Sequence, residues 1–527
     1  MCLFVVGYSH TMDKFELAII YLIKSKIKSL SDLDSIKRKI SKKLGIITPS
    51  NVDLLKAYHK LVKKKRIKPD RKIEILLIKR RIRSLSGIVN VSVLTKPYAC
   101  PGKCLYCPEQ EGVPKSYLKR EPAVQRAILN NFDPYLQVQT RLESLKATGH
   151  PVDKIELRII GGTWSYYPKA YQTEFVLQCF NACNSKKLRS LEKAQKLNEK
   201  AKSRITGLTI ETRPDYINEK EIKRLRELGI TRVELGVQSI YNDVLKLNRR
   251  DHLIEETIKA TKLLKDAGFK ISYQMMPNLP GSSFKRDVEM FKELFSNSDF
   301  QPDLLKIYPL ALLKEAPLYK WYKKNKYKPY NEKQLIKLLI EIKKHIPYYV
   351  RIERIIRDIP ADYIIEGGVK ISNLREVIQK EVKCKCIRCR EVKEFYSKEK
   401  LYLYRQDYDS SGGKEVFLSF ENKDRTHLYS LLKLRILNNE VGPRCKAIVR
   451  EIHTYGQMAQ IKNGRGPSST QIQHKGLGKK LMEKAEDITK NEFGLDKLGV
   501  ISGIGVRGYY RKLGYHLQNT YMIKSLD

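Results

Sequence analysis

The feature that most restricts the fold is an alternation of short apolar runs and amphipathic stretches that begins after Gly87. The apolar runs predict strands, and the stretches between them repeat apolar residues with the period of an α-helix. Such an alternation predicts an α/β fold with a parallel sheet curled into a partial (β/α)6 barrel. The predicted strands are residues 88–94, 155–160, 205–210, 233–237, 270–275 and 304–308.

Glycine and polar residues follow the first four predicted strands. The carboxyl ends of parallel barrel strands meet at one mouth, so these residues are predicted to form one site. A polar turn after any single strand is ordinary, but four in succession favour a shared function. After the cysteine-containing loop of the first strand, the residues are Gly161, Gly162 and Thr163, then Glu211 and Arg213, then Gln238 and Ser239.

The loop after the first strand carries three cysteines, Cys100, Cys104 and Cys107. Three thiolates at this spacing can bind three irons of a 4Fe-4S cluster and leave the fourth iron open to a substrate. A structural zinc site is the alternative, although such sites usually have four protein ligands. The spacing therefore favours the cluster.

A second cysteine group, Cys384, Cys386 and Cys389, follows the barrel pattern. It predicts a structural zinc site in the segment that joins the barrel to the C-terminal region. The fourth ligand is left open, with Cys445 and His453 as candidates. The sequence shows no secretory signal, so metal ligation by the cysteines is favoured over disulfides and a cytoplasmic protein is expected. It also shows no uncharged apolar run of membrane-spanning length, so no membrane contact is expected.

The chain is strongly basic, with 102 Lys and Arg against 58 Asp and Glu among its 527 residues, a net charge of +44. Residues 24–83 alone carry 21 basic and 5 acidic side chains. Helical patterns at 13–24, at 32–44 and from Ser50 or Asn51 to 62 place these cations on predicted helix surfaces. A basic surface of this kind favours a phosphate backbone as partner, whereas a solvated helix face would explain any one run alone.

The C-terminal region is predicted to be a mixed α+β domain with a strand at 447–453 and a helix at 479–492. Glycines just before a helix expose amide groups that suit a pyrophosphate. The aromatic pair Tyr509 and Tyr510 lies downstream, and one of the two could simply pack in the core. The predicted pyrophosphate loop consists of Gln473, His474, Lys475, Gly476, Leu477, Gly478 and Lys479.

These two sets of motifs resemble two known families. The cysteine loop and Gly161-Gly162-Thr163 are similar to the radical S-adenosylmethionine superfamily, and the loop before Tyr509-Tyr510 is similar to the GNAT acetyltransferases. Their fusion in one chain resembles the Elongator catalytic-subunit family in its stand-alone archaeal or bacterial form. Strings such as 209–216, 234–239, 356–360 and 508–512 carry this resemblance.

The resemblance implies modification of the tRNA wobble uridine at carbon 5. A 5′-deoxyadenosyl radical from S-adenosylmethionine would activate the acetyl methyl group of acetyl-coenzyme A, and hydrolysis would leave a carboxymethyl group. It also implies that the glycine motif, Glu211, Arg213, Gln238 and Ser239 contact S-adenosylmethionine, and that the tyrosine pair lies near the thioester. The anticodon stem-loop of tRNA is the implied partner.

The implied organisation is a basic helical tRNA-binding region at 1–85, a radical barrel at 86–360, a zinc-binding element at 361–395 and an acetyltransferase domain at 396–527. One alternative is a protein-lysine acetyltransferase with Glu451 as base and a structural iron–sulfur cluster. A second is a non-enzymatic, basic tRNA-binding scaffold. Whether the chain acts alone, as a homodimer or with other proteins is left open.

Overall fold

The structure is a computed structural model that describes residues 12–25, 27, 30–78, 84, 86–368, 371, 373–393, 399–441, 445–456 and 476–527. The chain divides into two compact units. The smaller comprises the described parts of Met1–Val89 and Gln139–Asp153, and the larger those of Asn90–Val138 and Lys154–Asp527. Within the described ranges, no helix is both long enough and apolar enough to cross a bilayer.

Amphipathic helices form most of the smaller unit. They are α1 (Lys14–Lys24), α2 (Leu30–Leu44), α3 (Asn51–Lys63) and α4 (Arg71–Leu77). The Asp13 carboxylate accepts from the Phe15 amide at 3.2 Å, and the Ser50 hydroxyl accepts from the Asp53 amide at 3.2 Å, so Ser50 is the cap of α3. Apolar faces pack inward, and cations such as Arg38 and Lys42 are exposed.

The parallel sheet predicted from the sequence is confirmed and forms an open, curled half-barrel in the order β1-β2-β3-β4-β5-β6-β8. The short strands β7 and β9 pair with each other. The seventh strand, β8, was not predicted, because Ile352 is the one apolar residue in it. The strands are β1 (Ile88–Leu94), β2 (Lys154–Ile160), β3 (Arg204–Thr212), β4 (Arg232–Gln238), β5 (Lys270–Met275), β6 (Leu304–Ile307), β7 (Leu312–Leu313), β8 (Arg351–Arg354) and β9 (Ile364–Glu366).

Helices connect these strands along the chain. The charge-rich stretch before β3 contains the short helix α8. The Asn198 side chain at its end is buried and accepts from the Ile205 amide at 2.8 Å. The helices are α5 (Pro122–Leu129), α6 (Pro134–Ala147), α7 (Lys169–Asn184), α8 (Leu191–Asn198), α9 (Glu219–Glu227), α10 (Asn242–Leu247), α11 (Ile254–Asp266), α12 (Phe284–Ser296), α13 (Leu318–Lys323), α14 (Glu332–Lys344), α15 (Leu374–Glu381) and α16 (Ile387–Arg390).

A second, mixed sheet follows in the order β10-β11-β12-β13-β14-β16-β15. All its pairings are antiparallel except that of β13 with β14. One face packs on α17, whose Leu481 and Met482 enter the core. The elements are β10 (Tyr402–Ser410), β11 (Gly413–Glu421), β12 (Leu428–Val441), β13 (Cys445–Thr454), α17 (Leu477–Asp487), β14 (Lys497–Val500), α18 (Arg507–Arg511), β15 (His516–Gln518) and β16 (Tyr521–Ser525).

Candidate active site

The cysteine loop lies at the carboxyl end of β1 and is held by neighbouring backbone. The Leu105 amide donates to the Asn248 carbonyl at 3.1 Å, and the Leu105 carbonyl accepts from the Leu318 amide at 2.8 Å. Cys104 is buried, whereas Cys100 and Cys107 are half-buried. The loop is therefore fixed by backbone hydrogen bonds, and two of its three cysteines are only half-buried.

The spacing of these thiols distinguishes a cluster from a single ion. Among the described residues, one group of three or more metal-ligating side chains has its ligand atoms within 4.8 Å of one another, and it is the second cysteine group. The thiols of Cys100, Cys104 and Cys107 are therefore spread more widely. This spacing fits thiolates that bind three different irons of a 4Fe-4S cluster rather than one shared zinc.

Arg250 is a candidate site residue that the sequence analysis missed. One terminal nitrogen of its guanidinium lies 3.6 Å from Cys104 Sγ, and the other donates to the Gly236 carbonyl at 2.5 Å. A Cβ on Gly236 would lie 2.9 Å from this second nitrogen, so the glycine makes room for the arginine. Arg249 is exposed, and nothing in the sequence separates the two arginines.

The glycine motif follows β2 in a conformation that requires glycine. Gly161 has φ +134° and Gly162 has φ +97°. A Cβ on Gly161 would lie only 1.9 Å from Thr95 Oγ1, at the end of the adjacent strand β1. Thr163 is buried beside them. The motif thus brings the ends of two strands together and exposes bare backbone at Gly162, as the resemblance to the radical enzymes implies.

Glu211 belongs to a charged network that fills the barrel interior. Its carboxylate accepts from the Tyr117 hydroxyl at 2.7 Å and lies 3.4 Å from Lys306 Nζ. Lys306 also pairs with the fully buried Glu234. Burial raises the pKa of Glu234, but the Arg158 and Lys306 cations outweigh this effect and lower it. Glu211 is half-buried and lies at the outer end of this network.

Arg213 is held by carboxylates of the protein itself. Its guanidinium makes two bonds to Asp215, at 2.9 and 2.7 Å, and a third to Asp251 at 3.0 Å. It also packs against Gly102 of the cysteine loop, where a Cβ would lie 2.7 Å from Arg213 Nη1. These contacts give Arg213 a role in positioning the loop, so Arg250 is the better candidate for a cation that faces a bound carboxylate.

Gln238 and Ser239 end β4 in a strained turn. Gln238 is not a glycine, yet its φ is +71°, and its carbonyl accepts from the Met276 amide at 2.8 Å. The Ser239 hydroxyl accepts from the Tyr241 amide at 3.2 Å. Both side chains are buried at the same mouth as the cysteine loop.

The C-terminal candidate site lies where β13 and β14 separate. Their parallel pairing is confined to Ile448 with Gly499 and Val449 with Val500. Helix α17 begins after Gly476, which has φ +71°. Beside it, a Cβ on Gly478 would lie 3.2 Å from the Tyr509 hydroxyl. Of the predicted pyrophosphate loop, Leu477 is buried and Lys479 exposed, whereas Gln473, His474 and Lys475 lie outside the described residues.

The structure separates the two tyrosines. Tyr510 is buried, contacts the Tyr515 ring edge to face at 6.1 Å between centroids and belongs to the core of the second sheet. Tyr509 is 40% exposed and lies beside the start of α17. Its hydroxyl is therefore the better candidate to contact a thioester.

The second cysteine group is compact. Cys384 and Cys386 are buried, and the Gln379 amide donates to Cys389 Sγ at 3.3 Å. Cys445 does not join them, because its thiol donates to the Ala447 carbonyl at 2.9 Å within the second sheet. No described histidine, including His453, belongs to this group either, so the fourth ligand remains unassigned.

Glu451 is unsuited to act as a general base. It lies 3.3 Å from Lys433 and 3.8 Å from Lys270. Burial raises the pKa of Glu451, but these two cations outweigh burial and lower it to about 2. A base works best with a pKa near the working pH, so the geometry does not favour the lysine-acetyltransferase alternative.

Comparison with known proteins identifies the domains and their relatives. Residues 94–294 match the Radical SAM superfamily, and residues 302–384 match the Radical_SAM C-terminal domain. The tRNA uridine(34) acetyltransferase of Methanocaldococcus infernus is 46% identical over 92% of this chain and 93% of its own length. Elongator complex protein 3 of Homo sapiens is 38% identical over 94% of this chain and 93% of its own.

A solved structure agrees. An archaeal Elp3 of Methanocaldococcus infernus with an N-terminal deletion is 44% identical and superposes with a TM-score of 0.73, covering 84% of this chain and all of that one. The family match shows that this chain is a radical S-adenosylmethionine enzyme, a class that uses a 4Fe-4S cluster. The relatives place it among the acyltransferases. The chain belongs to the family that comprises the tRNA uridine(34) acetyltransferases and Elongator complex protein 3.

Proposed function

We propose that this chain carboxymethylates carbon 5 of the wobble uridine in tRNA, using S-adenosylmethionine and acetyl-coenzyme A. The proposal rests on the presence of two sites in one compact unit. One is the cysteine loop at the mouth of the half-barrel, and the other is the start of α17, after Gly476, beside the point where β13 and β14 separate. The names of the relatives, which specify tRNA uridine(34), support the same substrate.

The cysteine loop would hold the cluster through Cys100, Cys104 and Cys107. When bound, the cluster supplies the electron that cleaves S-adenosylmethionine and so generates the 5′-deoxyadenosyl radical. The bare backbone at Gly162 and the guanidinium of Arg250 would bind the methionine part. Gln238 and Ser239 line the same mouth.

The second sheet would bind acetyl-coenzyme A. Exposed amides at the start of α17, from Gly476 to Lys479, suit its pyrophosphate, with Gln473, His474 and Lys475 completing the predicted loop. The Tyr509 hydroxyl would lie at the thioester end. The 5′-deoxyadenosyl radical would take a hydrogen atom from the acetyl methyl group, and the resulting carbon radical would add to carbon 5 of uridine. Loss of the carbon-5 proton and of one electron, which the oxidised cluster can accept, would restore the uracil ring. Hydrolysis of the thioester would then release coenzyme A.

RNA would be bound through its phosphates by the basic helices of the smaller unit. On α2, the side chains of Arg38, Lys39, Lys42 and Lys43 are exposed while Leu33 and Ile40 are buried. An unpaired anticodon base can reach an enclosed site without the cost of opening a duplex. We further propose that Cys384, Cys386 and Cys389 bind a structural zinc ion, since three thiolates within 4.8 Å fit one tetrahedral ion.

The direct test is mass spectrometry of nucleosides from tRNA incubated anaerobically with the protein, dithionite, S-adenosylmethionine and acetyl-coenzyme A. We expect 5-carboxymethyluridine from the unaltered protein and none from Cys104→Ala. Formation of 5′-deoxyadenosine should require Cys104 as well. Product formation by Cys104→Ala would overturn the proposed mechanism, and acetylated lysine peptides without modified tRNA would favour the acetyltransferase alternative.

A further inference from the structure

Three strand ends of the half-barrel bring tyrosine rings together beside the cysteine loop. Tyr98 follows β1, Tyr166 follows β2 and Tyr216 follows β3. The ring centroids of Tyr98 and Tyr166 are 5.9 Å apart, and those of Tyr166 and Tyr216 are also 5.9 Å apart. The sequence places these tyrosines far apart, and the sheet order makes them neighbours.

Two rings of this group, those of Tyr98 and Tyr166, are exposed. Among the described residues, three large aromatic side chains are exposed, namely Tyr98, Tyr166 and Tyr509, and each is 40% exposed. Tyr509 lies at the candidate acyl site. The other two form a pair at the mouth of the barrel, where exposed aromatic surface lowers solubility unless a ligand covers it.

A stack of further tyrosines supports Tyr98. The Tyr98 ring stacks on Tyr167 at 4.9 Å, and Tyr167 stacks in turn on Tyr171 at 5.1 Å. The Tyr167 hydroxyl bonds Thr95 Oγ1 at 2.8 Å and donates to the Lys96 carbonyl at 2.9 Å. The Tyr98 ring is thus held in place before any ligand arrives, so its part in binding costs little side-chain entropy.

The surroundings are cationic, which indicates the kind of ligand. Lys96 and Lys103 are exposed on either side of Tyr98 in the chain, and within the described residues neither forms an ion pair with a carboxylate. The planes of the Tyr98 and Tyr166 rings are tilted by 56°, so each ring offers its own stacking face. Exposed aromatic rings combined with nearby cations are the arrangement by which proteins bind single-stranded nucleic acids. A net charge of +44 agrees with a polyanionic ligand.

We propose that Tyr98 and Tyr166 form a stacking platform that binds an unpaired base of the RNA and keeps it beside the cysteine loop. Tyr98 is two residues from Cys100, so their Cα atoms lie at most about 7 Å apart. A base on the platform is therefore next to the loop where the radical would arise. This inference rests on the proposed function for its choice of RNA.

The test measures affinity for a 17-nucleotide anticodon stem-loop at fixed salt, for Tyr98→Ala, Tyr166→Ala and the two matching Phe variants. Iron content and the reduced-cluster EPR signal establish that each variant is loaded. We expect the Ala variants to bind about 5- to 150-fold more weakly, the range that loss of one stacked base produces. The Phe variants should stay within about twofold. Tyr402→Ala, on strand β10 of the other sheet, is the matched control and should bind normally.

Two further measurements identify stacking as the cause. The slope of log affinity against log salt should not change in the Ala variants, because no charge is removed, whereas Lys96→Ala should lower it by about one. 2-Aminopurine in the loop should be quenched by the unaltered protein and less so by Tyr98→Ala. Unchanged affinity in both Ala variants, equal losses in the Phe variants, or an equal loss for fully duplex RNA would overturn the platform. If tyrosine-dependent binding is found but no carboxymethyluridine forms, the proposed function fails while the platform stands.

Discussion

Arg450 on β13 is fully buried between the second sheet and the half-barrel. Its guanidinium bonds both carboxylate oxygens of Asp303, at 2.5 and 3.0 Å, and the Glu415 carboxylate at 3.1 Å. It also donates to the Phe269 carbonyl at 2.6 Å. Asp303 directly precedes β6, so this one side chain joins the two sheets of the larger unit.

Arg450→Ala should therefore be strongly destabilising. Removing one partner of a buried ion pair leaves the other charge unpaired and typically costs about 3–5 kcal/mol. Lys433 remains 3.1 Å from Asp303, which keeps the expected cost near ~3 kcal/mol. The larger unit contains roughly 420 residues, and at about 2.1 cal/mol/K of unfolding entropy per residue this cost corresponds to a fall in Tm of roughly 3–4 °C.

Differential scanning calorimetry at one scan rate measures this fall. Arg405→Ala is the matched control, because Arg405 also pairs with two carboxylates, Asp407 and Glu492, each at 2.8 Å, but is about one-third exposed. Exposed pairs contribute about 0–1 kcal/mol, so its Tm should fall by at most about 1 °C. Equal shifts for the two variants would refute the reasoning, as would a fall confined to one transition of the larger unit.

Three further outcomes follow from the geometry. Gly161→Ala should lower the free energy of unfolding by ~1–3 kcal/mol and impair S-adenosylmethionine binding, because the added methyl group meets Thr95. Gly508→Ala, which has open space around it, is the control and should do neither. Equal denaturation midpoints for the two variants would contradict this expectation. Burial lowers the pKa of His453 to about 4, although Glu451 opposes this effect. As the pH drops from about 6.5 towards 4, the unfolded chain binds more protons than the folded one, so the free energy of unfolding should fall. The fall should be less steep in His453→Gln. Identical pH profiles of stability for the two proteins would count against this role of His453. Cys384→Ser should remove one zinc ion per chain and leave the iron content unchanged, and zinc retained at full occupancy would exclude the proposed site.

Local patterns in the sequence were sufficient for much of the architecture. Strands β1 and β5 have the predicted bounds, because each is a short apolar run bounded by turn residues. Ser50, one of the two residues at which the sequence predicts a helix to begin, is the observed cap of α3. Strand β8 was missed because two arginines and a glutamate surround Ile352, and only pairing with β6 makes this segment a strand.

The sequence by itself determined which residues lie at the strand ends, because strand positions and spacings are local properties of the chain. The tertiary structure alone decided which of them meet. It placed Arg250 rather than Arg213 beside Cys104, moved Tyr510 into the core and left Tyr509 exposed, and brought Tyr98 to Tyr166. Contacts between distant residues depend on sheet order and on which side chains burial leaves accessible, and neither is encoded in a local pattern.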